Sequence, residues 1–281
     1  MMLIRLSLMF FIPTLVLLSC SQKEATKSDW QKPATTTISC DDYALQHTPS
    51  GMLFNNVWNK DAAKSFDWRQ CLEKSKSEEV YGWSWKWPSD SDTIYAYPQI
   101  KLGTSPWAPT PADKGDFPLN YANLKRLLIS HKLEVSGNSE HNVATSMWLT
   151  NSANIGAEPN PATIVAELMI WSYTTPNHMD PAGRYQGDVN VDQQQWEVWA
   201  DNNWGDVSGQ HNNHWIYLTF RAKKRALASK FDVIPLVQYA VEHQLLPQTF
   251  YIADIELGTE IMSGSGLVWL KSFDISIDKK Q

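Results

Sequence analysis

Two short stretches of this 281-residue chain set carboxylates among apolar neighbours. Read as a β-strand, the run from Ala166 to Trp171 puts Glu167, Met169 and Trp171 on one face and Leu168 and Ile170 on the other, because strand side chains alternate. The second set is wholly apolar and should face a core. The first sets a charged group beside an indole, the pairing that a sugar cleft needs, since an indole face stacks on a sugar ring. The second stretch runs from Tyr251 to Ile261. There Ile252, Asp254, Glu256, Gly258 and Glu260 alternate with Tyr251, Ala253, Ile255, Leu257, Thr259 and Ile261. The second of these sets should be the core face. The first should line the solvent side, with Gly258 leaving room for a ligand or a close backbone approach. Glu256 is a candidate substrate contact, or with Asp254 simply solvates a cleft rim. Spacing alone does not say which acidic groups pair.

Other chemistries find no support. Asp188, Asn190 and Asp192 begin like a calcium loop, but Gln193 stands where the turn glycine belongs and Trp199 where the bidentate glutamate belongs. His211 and His214 have no further obvious metal ligand nearby. There is no Gly-x-Ser-x-Gly elbow, phosphate loop or zinc-protease helix. Catalysis by carboxylates needs no cofactor, and none is expected.

These residues need strands to hold them. Alternating runs bounded by Gly, Pro, Asn and Asp are expected over 80–87, 94–100, 144–150, 164–173, 194–200, 214–221, 250–257 and 266–277. One stretch, 231–246, has helical periodicity, with Asp232 as N-cap, Pro235 in the first turn and Pro247 as the stop. Many strands and one helix make an all-β sandwich with a helix packed on it.

Composition narrows the partners. The 14 tryptophans suit sugar stacking or a tryptophan-rich core, and some must fill the core, while the net charge of −6 argues against nucleic acid. Arg5 followed by the apolar run Leu6 to Leu18 fits an export signal and is short for a membrane span. The segment ends Leu17-Leu18-Ser19-Cys20, which resembles a bacterial lipobox, so residues 1–19 read as a lipoprotein signal with Cys20 as the lipidated residue. Ser21 after Cys20 resembles outer-membrane sorting. Residues 20–39 lack periodic apolar positions and read as a flexible tether, and 40–281 as one domain. Export leaves Cys40 and Cys71 in an oxidising compartment that allows them to pair, two free thiols being the alternative.

Five segments carry a family resemblance. Glu167-Leu-Met-Ile-Trp171 and the run from Gly258 through Glu260 to Gly266 resemble the two signature segments of glycoside hydrolase family 12. Asn55-Asn56-Val57-Trp58, Tyr81 to Trp87 and Tyr97-Pro98-Gln99-Ile100 resemble further family segments, in the right order. The resemblance covers Cys40 to the C-terminus and implies a jelly roll of two antiparallel sheets with a concave substrate cleft. It implies a retaining endo-hydrolase of β-1,4-glucans, whether xyloglucan, cellulose-type or mixed-linkage glucan, with Glu167 as nucleophile and Glu260 as acid/base. Retention needs those carboxylates about 5–5.5 Å apart. By the same match Asn56 and Trp58 contact sugar, Met169 and Trp171 lie near the reaction centre, Trp85 is a further candidate contact, and Cys40 pairs with Cys71. One departure stands out: Ser146 occupies the place of a family aspartate near the nucleophile. It could still hydrogen-bond to Glu167, which without that negative neighbour should ionise more easily. The expected protein is a monomer that binds a β-glucan and meets the membrane only through its anchor. A jelly-roll xylanase and a non-catalytic glycan-binding lipoprotein are the alternatives.

Overall fold

The computed structural model describes residues 30–107, 117–155, 158–206 and 212–281. The signal segment, Cys20, the first part of the tether and His211 lie outside them. The strands are β1 (Thr36–Ser39), β2 (Leu45–Thr48), β3 (Gly51–Phe54), β4 (Arg69–Lys74), β5 (Tyr81–Lys86), β6 (Gln99–Gly103), β7 (Leu119–Asn120) and β8 (Leu124–Thr150). They continue with β9 (Ile164–Thr174), β10 (Arg184–Val191), β11 (Gln194–Gly205), β12 (His214–Ala222), β13 (Ala228–Asp232), β14 (Tyr251–Ile252), β15 (Asp254–Gly258) and β16 (Ile261–Lys279). A single α-helix among the described residues, α1, spans Val233–Glu242.

Two sheets form a sandwich. One runs β1-β4-β5-β16-β8-β13. The other runs β2-β3-β6-β15-β8-β9-β12-β11-β10. Strand β8 belongs to both. Its first part, up to His141, pairs with β16, and from Asn142 onward it pairs with β9 and β15. Leu168 and Ile170 of β9, Met147 and Leu149 of β8, and Ile255 and Leu257 of β15 are buried between the sheets with Trp83, Trp85 and Trp87. Burying each such side chain stabilises the fold by roughly 1.5–3 kcal/mol. Tryptophan-rich β5 is therefore a core strand.

Several expectations change. The jelly roll stands, but one pairing, β9 with β12, is parallel. The β10–β11 hairpin intervenes between them in sequence, so β12 returns beside β9 in the same direction. The run expected over 94–100 is a strand only from Gln99, with a lone bridge from Ala96 to Ile261. The run over 250–257 breaks at Ala253 into β14 and β15. Helix α1 has the expected cap, the Asp232 side chain accepting from the Ile234 N–H at 3.0 Å. It ends before Pro247, because Gln244 turns left-handed (φ 60°) and the Leu245 N–H closes on the Ala240 carbonyl at 2.8 Å. The calcium-like segment is the β10–β11 hairpin, with Asp192 and Gln193 at φ 51° and 62°.

The N-terminal boundary also moves. Residues 36–39 are a strand, and Lys32, Thr35 and Ser84 each place a polar atom 2.6 Å from the buried Glu73 carboxylate. Burial pushes Glu73 up, but these partners outweigh it and hold the carboxyl below its ordinary range. The end of the tether is thus part of the domain. The Cys40–Cys71 disulfide forms, with its Cα atoms 4.0 Å apart, and ties the chain just after β1 to β4.

Candidate active site

The outer face of the second sheet is recessed. In register across it lie Tyr217, Glu167 and Trp148, then Thr219, Met169 and Ser146, then Arg221, Trp171 and Ala144. Met169 and Trp171 are only 2% and 1% exposed although they point away from the core. An outward-facing floor that dry must have walls. Tyr97, Tyr217, Trp58, Trp204 and Ala182 pack on it as an apolar cluster separate from the main core. The floor is cross-tied: the Tyr217 hydroxyl donates to Met169 Sδ at 3.3 Å, and the Tyr97 hydroxyl lies 3.0 Å from both the Ala144 and the Glu256 carbonyl oxygens.

Glu167 stands part-exposed on this floor. The Trp215 indole N–H donates to its Oε2 at 3.3 Å. Trp107, Trp148 and Trp215 meet edge to face with centroids 5.7, 5.7 and 5.6 Å apart, an aromatic group beside the carboxylate. Glu260 comes from the turn between β15 and β16 and is gripped by Asn142, the residue at which β8 changes sheets. The Asn142 side-chain amide donates to Glu260 Oε2 and its Oδ1 accepts the Glu260 N–H at 2.8 Å. The Asn142 N–H donates to the Glu260 carbonyl at 3.1 Å. A bulge in β9 follows at once, where Val143 faces Tyr173 and Ala144 faces Trp171 and Ser172 is the extra residue. Behind it, the Trp83 indole donates to Thr259 Oγ1 at 2.9 Å, so core strand β5 helps to fix the residue before Glu260.

The charge of Glu260 reaches Glu167. Burial first, then the charge of Glu260, then that of Asp254 push Glu167 up to about 8, against the opposing Trp215 bond. Burial pushes Glu260 up to about 7 against the Asn142 bond. Tyr97 and Tyr217 are raised far above the tyrosine range by burial first, and both feel Glu167 and Glu260. A recessed aromatic floor with two coupled carboxyls can do acid/base and nucleophilic chemistry on a sugar chain.

Comparison with known proteins agrees with this chemistry. The family model described as "Glycosyl hydrolase family 12" matches residues 50–278. The chain belongs to glycosyl hydrolase family 12. It is 26% identical to Endoglucanase S of Pectobacterium parmentieri over 228 residues, 80% of this chain and 81% of the relative. Its fold matches the family 12 xyloglucanase from Bacillus licheniformis, solved with a ligand, at TM-score 0.74 and 25% identity, covering 88% of this chain and 100% of that one. A more distant relative, 21% identical over 83% of this chain and 88% of its own, is the inactive glycoside hydrolase XLP1 of Phytophthora nicotianae.

Within this family 12 hydrolase the remaining candidates fall into three places. Asn56 and Trp58 are part-exposed, Trp58 against the floor cluster and Asn56 with its side-chain amide 3.5 Å from Gln99 Oε1. Met169, Trp171 and Ser146 form the floor, Ser146 at 2% exposure opposite Met169. Trp85 lies in the main core at 3% exposure, because Gly266 opposite it leaves the space its ring fills. Asp254 and Glu256 do not solvate a rim: they are 0% and 5% exposed. Gly258 serves a close approach, since a Cβ there would meet the Pro98 carbonyl oxygen at 2.7 Å. Burial and two acidic neighbours, Glu260 and Asp254, raise Glu167, so the easier ionisation expected from uncharged Ser146 is relative to an aspartate at that position. Asn142, Trp215 and Trp107 carry no motif of their own, and Trp148 sits in the run from Ser146 to Leu149 without being singled out by it. A strand alignment of β8 against β9 would have pointed to Trp148 alone.

Proposed function

We propose that this family 12 hydrolase is a retaining endo-β-1,4-glucanase acting on xyloglucan or a less branched β-glucan, with Glu167 as nucleophile and Glu260 as acid/base. The observation that carries the reading is the pair itself: two electrostatically coupled carboxyls on one recessed, tryptophan-walled face. In the first step a Glu167 oxygen bonds to the anomeric carbon, the glycosidic bond breaks, and its oxygen takes the Glu260 proton. In the second, Glu260 removes a proton from water, the water oxygen bonds to the anomeric carbon, and Glu167 leaves as carboxylate. Each step inverts the carbon, so the product retains configuration.

The charge states follow from coupling. Taken group by group without substrate, Glu260 would ionise before Glu167, the reverse of what the first step needs. The pair titrates together, and its singly ionised form has two isomers that differ by one proton. A bound sugar favours the productive isomer, because its hydroxyls donate to ionised Glu167 and its glycosidic oxygen accepts from protonated Glu260. Esterification then removes the Glu167 charge, and Glu260 gives up its proton more readily for the second step.

The aromatic walls provide stacking surfaces for a glucan. Trp58 and Asn56 are assigned to sugar binding on the non-reducing side, and Met169 and Trp171 to the reaction centre. The amino-terminal motif supports export and anchoring through Cys20 in the outer membrane. The test is viscosity loss and reducing-sugar release from xyloglucan, carboxymethylcellulose and mixed-linkage glucan. Rapid viscosity loss that disappears in Glu167→Ala is the expected result. Binding without products from the parent would instead make it an inactive glycan binder.

A further inference from the structure

On the same face of the sheet as the cleft floor, one strand beyond Ser146, lies a charged group that the two-step reaction does not use. Glu256 stands in register between Ser146 of β8 and Lys101 of β6. Two residues before it is Asp254. Asp254, Glu256 and Lys101 are 0%, 5% and 0% exposed, too dry for direct sugar contacts. Asp254 also does backbone work. Where β14 and β15 break at Ala253, its Oδ1 accepts the Trp148 N–H at 3.0 Å, while the Ala253 N–H donates to the Trp148 carbonyl at 2.9 Å. Trp148 is the cross-strand partner of Glu167, and its ring meets that of Trp215, whose indole N–H holds the Glu167 carboxylate. A chain of contacts thus runs from Asp254 through Trp148 and Trp215 to the proposed nucleophile.

We propose that Asp254 and Glu256 form a positioning pair for Glu167, sharing one proton above Lys101, with Asp254 fixing the strand opposite the nucleophile and presenting its negative charge to it. The inference rests on Glu167 being the nucleophile. Two buried carboxylates joined by a hydrogen bond must hold a proton between them. It resides on Glu256, raised well above its usual range by burial and then by Asp254, whereas Asp254 is raised by burial only to about 6. Lys101 offsets the remaining charge. The groups facing the pair are Lys101 from β6, Glu167 from β9 and the Tyr97 phenol from the segment before β6. Asp254 Oδ1 already accepts the Trp148 N–H, so of the pair Asp254 carries the charge and Glu256 the proton. Asp254 therefore opposes ionisation of Glu167, and Glu256 does not.

That asymmetry is the test. The protein is labelled with 13C at glutamate Cδ, and Glu167, assigned by its loss in Glu167→Gln, is titrated by NMR in the parent, Asp254→Asn and Glu256→Gln. In Asp254→Asn the side-chain carbonyl oxygen can still accept from Trp148, and in Glu256→Gln the new amide can still donate to Asp254. In Asp254→Asn the midpoint should fall by about half a unit to one unit, about three- to tenfold in the ionisation constant. In Glu256→Gln it should stay within about 0.2 unit of the parent, since a neutral donor replaces a neutral donor. Ser146→Asp in the Asp254→Asn background should raise it again. An unmoved midpoint in Asp254→Asn, or equal shifts in both single variants, would overturn the pair. The titration needs no turnover, so an inactive parent would remove the hydrolytic mechanism while this result still decided the inference.

Discussion

Each of the two proposed catalytic carboxyls is held by one neutral donor, and the two donors have separable effects. Trp215 donates to Glu167 and lowers it, so Trp215→Phe, which keeps an aromatic ring but loses the N–H, should raise Glu167 further. The acid limb of the kcat profile, which in the substrate complex follows ionisation of the proposed nucleophile, should then move to higher pH. Asn142 donates to Glu260 and lowers it, so Asn142→Ala should raise Glu260 and move the basic limb to higher pH. Asn142→Ala should also cut kcat by about 100-fold, because Glu260 loses the group that aims it. In the parent the kcat/KM bell, which reports the protein without substrate, should centre between about 7 and about 8, where the pair holds one proton. Glu167 and its face were legible from alternation in a six-residue run, and Glu260 from the motif around it. Asn142 and Trp215 were not, because their nearness to the carboxyls depends on where β8 bends and how β12 registers against β9.

At the scale of elements, the site depends on two long-range ties. The Cys40–Cys71 bridge closes a loop of sequence separation 31. In the chain-entropy account such a closure stabilises the fold by about 3–4 kcal/mol, so Cys40→Ser with Cys71→Ser should lower the urea midpoint by a corresponding amount. The second tie is β8, whose first half the alternation rules did not find. Its inward positions run Leu127, Ile129, His131, Leu133, and the buried His131 interrupts the apolar pattern. The helix was legible because its cap is local: Asp232 accepts from Ile234 and also from the Leu127 N–H of β8 at 3.1 Å. Asp232→Ala should cost about 1–2 kcal/mol in equilibrium unfolding. The parallel β9–β12 pair was not legible, since no local signal tells a returning strand which edge to join.

At the scale of the whole molecule, the cleft opposes stability at alkaline pH. Glu167, Glu260 and Asp254 all bind protons more tightly folded than unfolded. Their contribution is fully present below the ordinary carboxyl values and is lost as pH rises through about 6 to 8. His131 and His141 run the other way. Burial lowers both to about 4, so their contribution is present above 6.5 and is lost as pH falls toward 4. Glu167→Gln should therefore raise the Tm at about pH 9 and leave it nearly unchanged at about pH 4.5, as thermal unfolding across pH would show. An equal rise at both pH values would mean that packing, not proton linkage, is responsible. The sandwich architecture was legible as a whole because strand runs and a single helix leave few alternatives. The recess was not, because it is built from walls contributed by separate loops and strands.

The most direct test of the central claim is to trap the nucleophile. A β-cellooligosaccharide bearing 2-fluoro and a dinitrophenyl leaving group slows both steps, but the leaving group spares the first, so a covalent intermediate accumulates in a retaining enzyme. Incubation with the full protein followed by peptide mass spectrometry should give stoichiometric labelling of the peptide that contains Glu167, and none in Glu167→Gln. Hydrolysis of unmodified glucan with no labelling of Glu167, or with labelling at another carboxyl, would contradict the account.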